Sequence, residues 1–248
     1  MKHNLDIHNY EGKFKSIQNT IQNSKEIPED SKRIILEFIR DCKLKEKLSI
    51  SRCTRFCGIL NVFCKRYLKK DLAKATKKDI ETAIERIEDQ KEYSPWTKQL
   101  YRVTVKKFYC WLAYGDKYKK QKPPETVSWI TINIKKKDRP LINARDILTE
   151  ADIQKLFGCV SNERDRALLH LLYETGARIS EVGNLKIHDV YRDDKSFIIR
   201  LNGKTGQREI RVILSDHSLI VWLNNPPKKH DFACIRKSQD FHKATSER

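Results

Sequence analysis

The sequence of 248 residues contains no long apolar run that is free of charged side chains. Its opening stretch, MKHNLDIHNYEGKFK, also lacks the apolar segment that directs a chain to secretion. A membrane-spanning helix needs about 20 consecutive apolar residues. The sequence therefore predicts neither a membrane protein nor a secreted one, and we expect a cytoplasmic location.

Cysteine pairs with the spacing of a redox or metal motif are absent as well. The seven cysteines include no Cys-x-x-Cys pair, and their number is odd. Cys53, Cys57 and Cys64 recur at helical spacing with no pair of histidines nearby, which favours packing in a hydrophobic core over a zinc site. The cysteine pattern predicts core residues in a reducing compartment.

Positive charge is what the chain has in excess. It carries 51 Lys and Arg against 33 Asp and Glu, which gives a net charge of +18 and a sequence pI near 9.6. Each phosphate that a cation neutralises releases condensed counterions, so this excess favours a nucleic-acid partner. Ribosome-associated proteins and proteins that bind anionic membranes share such a balance. The charge thus indicates a polyanionic binding partner but does not indicate which reaction, if any, the protein catalyses.

Hydrophobic periodicity divides the chain into parts. Residues 1–26 are polar and weakly patterned, and predict an N-terminal arm or a short helix. Residues 27–120 predict a compact domain of four helices, the last of which begins with Ser94 as its N-cap. Residues 121–146 contain prolines and the cluster KKKDRP, which predict a basic linker.

A second patterned region, residues 147–248, opens with LTEADIQKLF. This stretch predicts a helix that starts at Thr149 and buries Ile153, Leu156 and Phe157. After a further buried helix, the period changes to two: SFIIRL and REIRVIL predict strands joined in a glycine-containing hairpin. The predicted fold is therefore mainly α with a small β-hairpin or sheet.

The stretch LLYETGARISEV, between the buried helix and the hairpin, is the centre of this region. Gly176 suits the end of a helix because it accepts a positive φ, and Ser180 suits the N-cap of the next helix. Arg178 would then lie in a tight corner, where its planar guanidinium can face a phosphate with little loss of side-chain freedom. The alternative is that Arg178 only pairs with Glu174 or Glu181.

Basic side chains follow one face of each of two helices in the predicted four-helix domain. A basic face is often merely solvated, but two such faces on a strongly cationic chain favour contact with a phosphate backbone. The candidate DNA-binding residues are these side chains and two in the linker: Arg52, Arg55, Lys65, Lys98, Arg102, Lys106, Lys136 and Arg139.

Three motifs in order carry a resemblance to a known family. The succession LTEADIQKLF, LLYETGARISEVGNLKIHDV and GKTGQREIRVIL resembles the first half of a tyrosine recombinase catalytic domain of the Xer and phage-integrase type. The basic four-helix unit before it resembles that family's SAM-like core-binding domain. The resemblance runs from about residue 30 to about residue 225, and TGARISEVGNL is its most specific part. It implies a core-binding domain followed by a partial catalytic domain.

The resemblance also implies roles for two residues. Arg178 would clamp the scissile phosphate and stabilise the charge that builds on its non-bridging oxygens. Lys204 would protonate the departing 5′-oxygen, and Glu181 would support the corner. In this family a tyrosine hydroxyl attacks the phosphate and forms a 3′-phosphotyrosyl link. Duplex DNA and other recombinase protomers are the implied partners, with no metal or nucleotide cofactor.

The sequence departs from the family pattern after the hairpin. The family needs His-x-x-Arg, then His or Trp, then the nucleophilic tyrosine, yet no tyrosine follows Tyr191 and no His-x-x-Arg occurs. Trp222 lies in an apolar helix pattern and is expected in the core. We expect a C-terminally truncated recombinase that is inactive alone. The alternatives are a non-catalytic regulator that occupies recombination sites, and a basic RNA-associated protein, which leaves TGARISEV unexplained.

Overall fold

The computed structural model describes residues 9–135, 138, 144–203 and 206–224. These residues belong to two compact units, an N-terminal unit within residues 8–141 and a C-terminal unit from residue 142 onward. Each unit has a hydrophobic core of its own.

The N-terminal unit is built from helices. They are α1 (Tyr10–Gln22), α2 (Glu29–Leu44), α3 (Ile50–Val62), α4 (Lys77–Glu88), α5 (Pro95–Tyr114) and α6 (Glu125–Ser128). A π-helical stretch, Phe63–Leu68, continues α3, and 3₁₀ turns occupy Leu72–Lys74 and Gly115–Lys120. The predicted start of the fourth helix of the domain, now α5, is confirmed, because the Ser94 hydroxyl accepts a hydrogen bond from the Thr97 amide at 3.2 Å. None of the described helices has the length and apolar character needed to cross a bilayer.

Aromatic rings form the centre of this core. Phe38 is fully buried, and its ring lies 5.4 Å from that of Phe108, edge to face, and 5.3 Å from that of Trp111. The Trp111 indole donates to the carboxylate of Asp41 at 3.1 Å, so its polar edge is satisfied inside the core. The clustered cysteines at 53, 57 and 64 are buried free thiols, as their helical spacing predicted.

The N-terminal unit is larger than the predicted domain of residues 27–120. Helix α1 contributes Phe14 and Ile21 to the core, and Val127 and Ile130 contribute from beyond residue 120. Phe14, Ile17 and Ile21 recur at helical spacing in α1, and the polar residues around them made this short pattern easy to overlook. The assignment of this unit as a core-binding domain stays a prediction.

The 3₁₀ turn at Gly115–Lys120 is fastened to α5 and the end of α2 by the carboxylate of Glu46. That carboxylate accepts hydrogen bonds from Lys107 at 2.8 Å, from Lys119 at 2.7 Å and from the Tyr118 hydroxyl at 3.0 Å. Burial alone would raise the pKa of Glu46, but the hydrogen bonds from Lys107 and Lys119 outweigh it and lower the pKa to about 2.

The C-terminal unit combines helices with a small sheet. Its elements are α7 (Glu150–Cys159), α8 (Glu163–Thr175), α9 (Ile179–Gly183), β1 (Val190–Arg192), β2 (Phe197–Gly203), β3 (Gly206–Val212) and α10 (Asp216–Asn224). The strands pair antiparallel in the order β1-β2-β3, and Gly203 pairs with Gly206 at the hairpin end. The predicted fold class, mainly α with a small β-sheet, is confirmed. Strand β1 was not predicted, because three residues are too few to show a period of two.

The core of this unit lies between α8, α10 and the sheet. Leu171, Ile199 and Trp222 are buried in it, which confirms the core assignment of Trp222. The prediction that Leu156 faces inward is wrong, since that side chain is 42% exposed. Helix α7 instead meets α8 through Phe157, whose ring contacts His170 edge-on at 4.3 Å, leaving the neighbouring positions towards the surface.

The lowered pKa of Glu46 predicts a dependence of stability on pH. The folded pKa of about 2 lies below the ordinary value of 4.5, so the stabilisation is complete above pH 4.5 and is lost as the pH falls towards 2. We expect Glu46→Gln to reduce the free energy of unfolding at pH 7 by about 1.5 kcal/mol, allowing for solvent screening. Urea unfolding of the full chain should show that the difference in unfolding free energy between Glu46→Gln and the unmodified chain decreases as the pH is lowered from 5 to 3.

Glu81, an exposed glutamate on α4, provides the control. Glu81→Gln is expected to change the free energy of unfolding by less than about 0.5 kcal/mol at pH 7. An equal loss of stability in the two variants at pH 7 would contradict the role given to Glu46.

Candidate functional site

The corner that contains Arg178 is formed by the end of α8 and the start of α9. Gly176 ends α8 with φ at 57°, and its amide donates to the Leu172 carbonyl at 3.1 Å, which confirms the predicted helix end. The predicted N-cap at Ser180 is wrong, since α9 begins at Ile179 and Arg178 holds the cap position. The Glu181 carboxylate accepts a hydrogen bond from the Arg178 amide at 3.2 Å and thereby fixes the earlier start.

One carboxylate joins two arginines at this corner. Arg178 Nη1 donates to Glu181 Oε1 at 2.9 Å, and Arg208 Nη2 donates to Glu181 Oε2 at 2.8 Å. The Glu181 side chain is 3% exposed, while those of Arg178 and Arg208 are 62% and 37% exposed. We refer to these three residues as the arginine–glutamate cluster. The cluster presents guanidinium groups outward over a buried carboxylate.

The charge of the cluster follows from the ionisation of Glu181. The hydrogen bond from Arg208 acts against burial and, together with the bonds from Arg178, lowers the pKa of Glu181 to about 2. The carboxylate is therefore ionised at neutral pH, and two guanidinium groups against one carboxylate leave the cluster with one net positive charge. Such an arrangement can bind an anion that reaches the exposed side of Arg178.

Strand β2 passes very close to this carboxylate at Gly203. A Cβ atom built at Gly203 would lie 2.1 Å from Glu181 Oε1 and 3.6 Å from Arg208 Nη1. Only glycine leaves room for the carboxylate in its observed position. The hairpin therefore meets the cluster at the residue that precedes Lys204 in the sequence.

Glu174, the other proposed partner of Arg178, is engaged elsewhere. Its carboxylate accepts hydrogen bonds from the amides of Ile213, Leu214 and Ser215 and from the Ser215 hydroxyl. Burial would raise the pKa of Glu174, and the bonds from Ser215 and the backbone amides outweigh it and lower the pKa. Glu174 thus fastens the turn after β3 to the end of α8, and Glu181 is the partner of Arg178.

Three predicted site residues, Lys204, Lys136 and Arg139, lie outside the described residues. Their proposed roles stay predictions. Among the residues that the structure does describe, no group of three or more His, Cys, Asp or Glu side chains is arranged to hold a metal ion.

The basic stripe on α5 contacts its own unit. The Lys98 ammonium donates to the Glu88 carbonyl, and Arg102 Nη1 lies 3.4 Å from Glu88 Oε1. The Lys106 ammonium donates to the Ile130 carbonyl at 2.8 Å. These contacts give all three cations a structural function within the unit, and their contact with DNA stays a prediction.

The basic residues on α3 are more open. Arg52 and Arg55 are exposed and line a shallow groove together with Phe56 and Leu100. The Arg52 guanidinium lies 5.8 Å from the centre of the Phe56 ring. Lys65 is half-buried in the π-helical stretch after α3. Arg52 and Arg55 are therefore the best placed of the predicted DNA-binding residues in the N-terminal unit.

Residues 146–240 match the family model described as the phage integrase family. This range contains α7 to α10 and the whole arginine–glutamate cluster. This segment of the chain is similar to tyrosine recombinases. The resemblance carried by LLYETGARISEVGNL is thereby confirmed, and the cluster lies within the residues that the family model covers.

Two curated recombinases share part of the sequence. The chain is 44% identical over 63 residues to the tyrosine recombinase XerA of Pyrococcus horikoshii, covering 25% of this chain and 22% of that protein. It is 35% identical over 69 residues to the putative integrase/recombinase y4eF of Sinorhizobium fredii, covering 28% of this chain and 27% of that protein. The similarity thus spans about a quarter of each of these recombinases.

The fold is also found in a solved recombinase structure. The XerH site-specific recombinase bound to palindromic difH substrate, in a post-cleavage complex, aligns with a TM-score of 0.53 and 16% identity. The alignment covers 89% of this chain and 70% of the XerH chain. At this level of identity the likeness is one of fold.

Sequence reasoning missed Arg208. In β3 the side chains of Arg208, Ile210 and Val212 alternate onto one face, and Val212 is fully buried. A charged residue at an inward position of an alternating strand requires a buried partner, and this signal was available in REIRVIL. The identity of the partner, 27 residues away along the chain, was not.

Because Gly203 lies so close to the Glu181 carboxylate, adding one methyl group at this position is expected to lower stability. We expect Gly203→Ala to displace the Glu181 carboxylate and to destabilise the C-terminal unit by about 1–3 kcal/mol, because the added Cβ overlaps Oε1. Hydrogen exchange of the β2 and β3 amides in the full chain would measure the loss.

Gly158, inside α7, is the matched control, because a Cβ there meets nothing within 4 Å. Gly158→Ala is expected to leave stability unchanged or to raise it by about 0.5 kcal/mol. Unchanged protection of β2 and β3 in Gly203→Ala would show that the carboxylate does not depend on the glycine.

Proposed function

We propose that this chain binds duplex DNA as part of a site-specific recombinase or integrase and holds a backbone phosphate at the arginine–glutamate cluster. The observation that carries the proposal is the exposed guanidinium of Arg178, anchored on the buried carboxylate of Glu181 at 2.9 Å within the segment that matches the family. An anchored guanidinium meets a phosphate with its donor fork already oriented.

The proposed chemistry assigns separate tasks to the residues of the site. Arg178 stabilises the negative charge that builds on the non-bridging oxygens when phosphorus becomes five-coordinate. Glu181 orients Arg178, and Lys204, which follows Gly203 in the sequence, donates a proton to the leaving 5′-oxygen. These assignments rest on the family resemblance and on the geometry of the described residues around them.

The attacking tyrosine is the remaining requirement of the reaction. No tyrosine follows Tyr191 in the sequence. We assign the nucleophile to a polypeptide segment other than residues 1–248, so that these residues by themselves bind the phosphate without cutting the strand. A regulator that occupies recombination sites would show the same behaviour.

The N-terminal unit is proposed as the second DNA-binding surface. Residues 27–120 would act as the core-binding domain, with Arg52 and Arg55 as its exposed cations, and the basic residues 121–146 would connect it to the partial catalytic domain. A cytoplasmic location agrees with the free cysteines of the described residues.

The first test of this function is the salt dependence of DNA binding. For Arg178→Gln we expect a loss of about 2 kcal/mol in affinity for a 30-bp duplex, since one charge-assisted contact disappears. The slope of log affinity against log salt should fall by about 0.9, the value for one phosphate contact. Fluorescence anisotropy at four salt concentrations would give both quantities.

Arg192→Gln is the control, because Arg192 is also exposed in the C-terminal unit but pairs with Asp216 at 3.3 Å. It should leave the slope close to that of the unmodified chain. An unchanged slope in Arg178→Gln would remove the phosphate site from the proposal. Tighter binding to an RNA duplex of equal length would favour the RNA-associated alternative.

The second test concerns strand cleavage. A nicked suicide duplex traps a 3′-phosphotyrosyl link, so a covalent complex survives denaturing electrophoresis. We expect no covalent complex with this chain alone, because the sequence supplies no tyrosine after Tyr191. A covalent complex would show that a tyrosine within residues 1–191 attacks, and would contradict the assignment of the nucleophile.

A further inference from the structure

We propose that Arg208 is a positioning residue that neutralises Glu181 and so leaves Arg178 able to bind an anion. The inference rests on the proposed function, in which the anion is a DNA phosphate. It assigns different tasks to the two arginines: Arg178 contacts the phosphate, and Arg208 acts through the shared carboxylate.

The first support is the way the carboxylate is divided. Oε1 of Glu181 receives the Arg178 guanidinium at 2.9 Å, whereas Oε2 receives the Arg208 guanidinium at 2.8 Å and the Arg178 amide at 3.2 Å. Each guanidinium group donates to its own oxygen. The pairing of Arg208 therefore leaves the contact between the Arg178 guanidinium and Oε1 in place.

The second support is the difference in exposure. The side chain of Arg178 is 62% exposed and that of Arg208 is 37% exposed. Arg208 also lies close to Gly203 on the neighbouring strand, since a Cβ at Gly203 would lie 3.6 Å from its Nη1. Arg178 is the more accessible of the two guanidinium groups, which assigns the ligand to Arg178 and the counter-charge to Arg208.

The physical reason for a second arginine is the cost of a buried charge. Glu181 is only 3% exposed, and a carboxylate in that position needs a paired cation at all times. If Arg178 were its only partner, the pair would have no net charge, and a phosphate would meet a guanidinium whose charge Glu181 already neutralises. Arg208 supplies a second positive charge at Glu181 and keeps the cluster at one net positive charge.

A double-mutant design separates positioning from direct contact. The slope of log affinity against log salt for the 30-bp duplex should become about 0.9 shallower in Arg208→Met, as in Arg178→Gln, because the remaining pair of Arg178 and Glu181 has no net charge. The double variant Arg178→Gln with Arg208→Met should show the same decrease of about 0.9. A decrease of about 1.8 in the double variant would mean that each arginine contacts its own phosphate, and would overturn the inference.

Removing the charge of the Glu181 carboxylate gives a more discriminating test. In a Glu181→Gln background there is no charge to neutralise, so Arg208→Met should leave the slope unchanged. A fall in slope in that background would show direct phosphate contact by Arg208 and would overturn the proposal. Arg211, on the same strand and paired with Asp193 at 2.7 Å, is the matched control, and Arg211→Met should keep the original slope.

A conservative variant keeps the test decisive if Arg208→Met unfolds. Arg208→Lys retains the positive charge beside Glu181 and is expected to keep the original slope, although it loses the guanidinium fork. If Arg208→Lys makes the salt dependence shallower without a change in melting temperature, the proposal that Arg208 acts by neutralising Glu181 is overturned. If Arg178→Gln makes the salt dependence shallower and Arg208→Met does not, the role of Arg208 is rejected and the phosphate site stands. If Arg178→Gln has no effect, the proposed phosphate site itself is rejected.

Discussion

The C-terminal unit depends on the burial of one ionised carboxylate. Glu181 is 3% exposed, and it binds the N-cap of α9 and a guanidinium on β3 at the same time. A buried carboxylate is tolerated only with cations and hydrogen-bond donors around it, so its presence determines which elements must meet. The corner, the strand β3 and the glycine at the end of β2 are all fixed by this requirement.

The same requirement explains why the other glutamate beside the corner does not take Arg178. Glu174 receives donors from the turn after β3, three backbone amides and the Ser215 hydroxyl. A carboxylate supplied with so many donors has little need for a cation. Because Glu174 binds the turn after β3, Arg178 pairs with Glu181 alone. The arginine–glutamate cluster therefore contains one carboxylate and not two.

Local signals in the sequence predicted the elements well, and one local and one long-range contact of Glu181 account for the two errors at the site. Ser94 and Gly176 were assigned correctly because each helix end is stabilised by hydrogen bonds within four residues. Ser180 was assigned wrongly because the carboxylate of Glu181 reaches back to the Arg178 amide. Arg208 was missed because its partner is distant in sequence, and no local pattern identifies it.

The net charge of +18 shows a related limit. It points to a polyanionic partner, but the number of cations does not say which of them are available. Lys98 and Lys106 donate to backbone carbonyls of their own unit, so part of the predicted stripe stabilises the fold. Arg178 also has an internal partner, yet most of its side chain remains exposed. Whether a cation can bind phosphate thus depends on how its internal contacts orient it and on how much of it they leave exposed. Arg178 meets both conditions, because Glu181 orients its guanidinium and most of its side chain stays exposed.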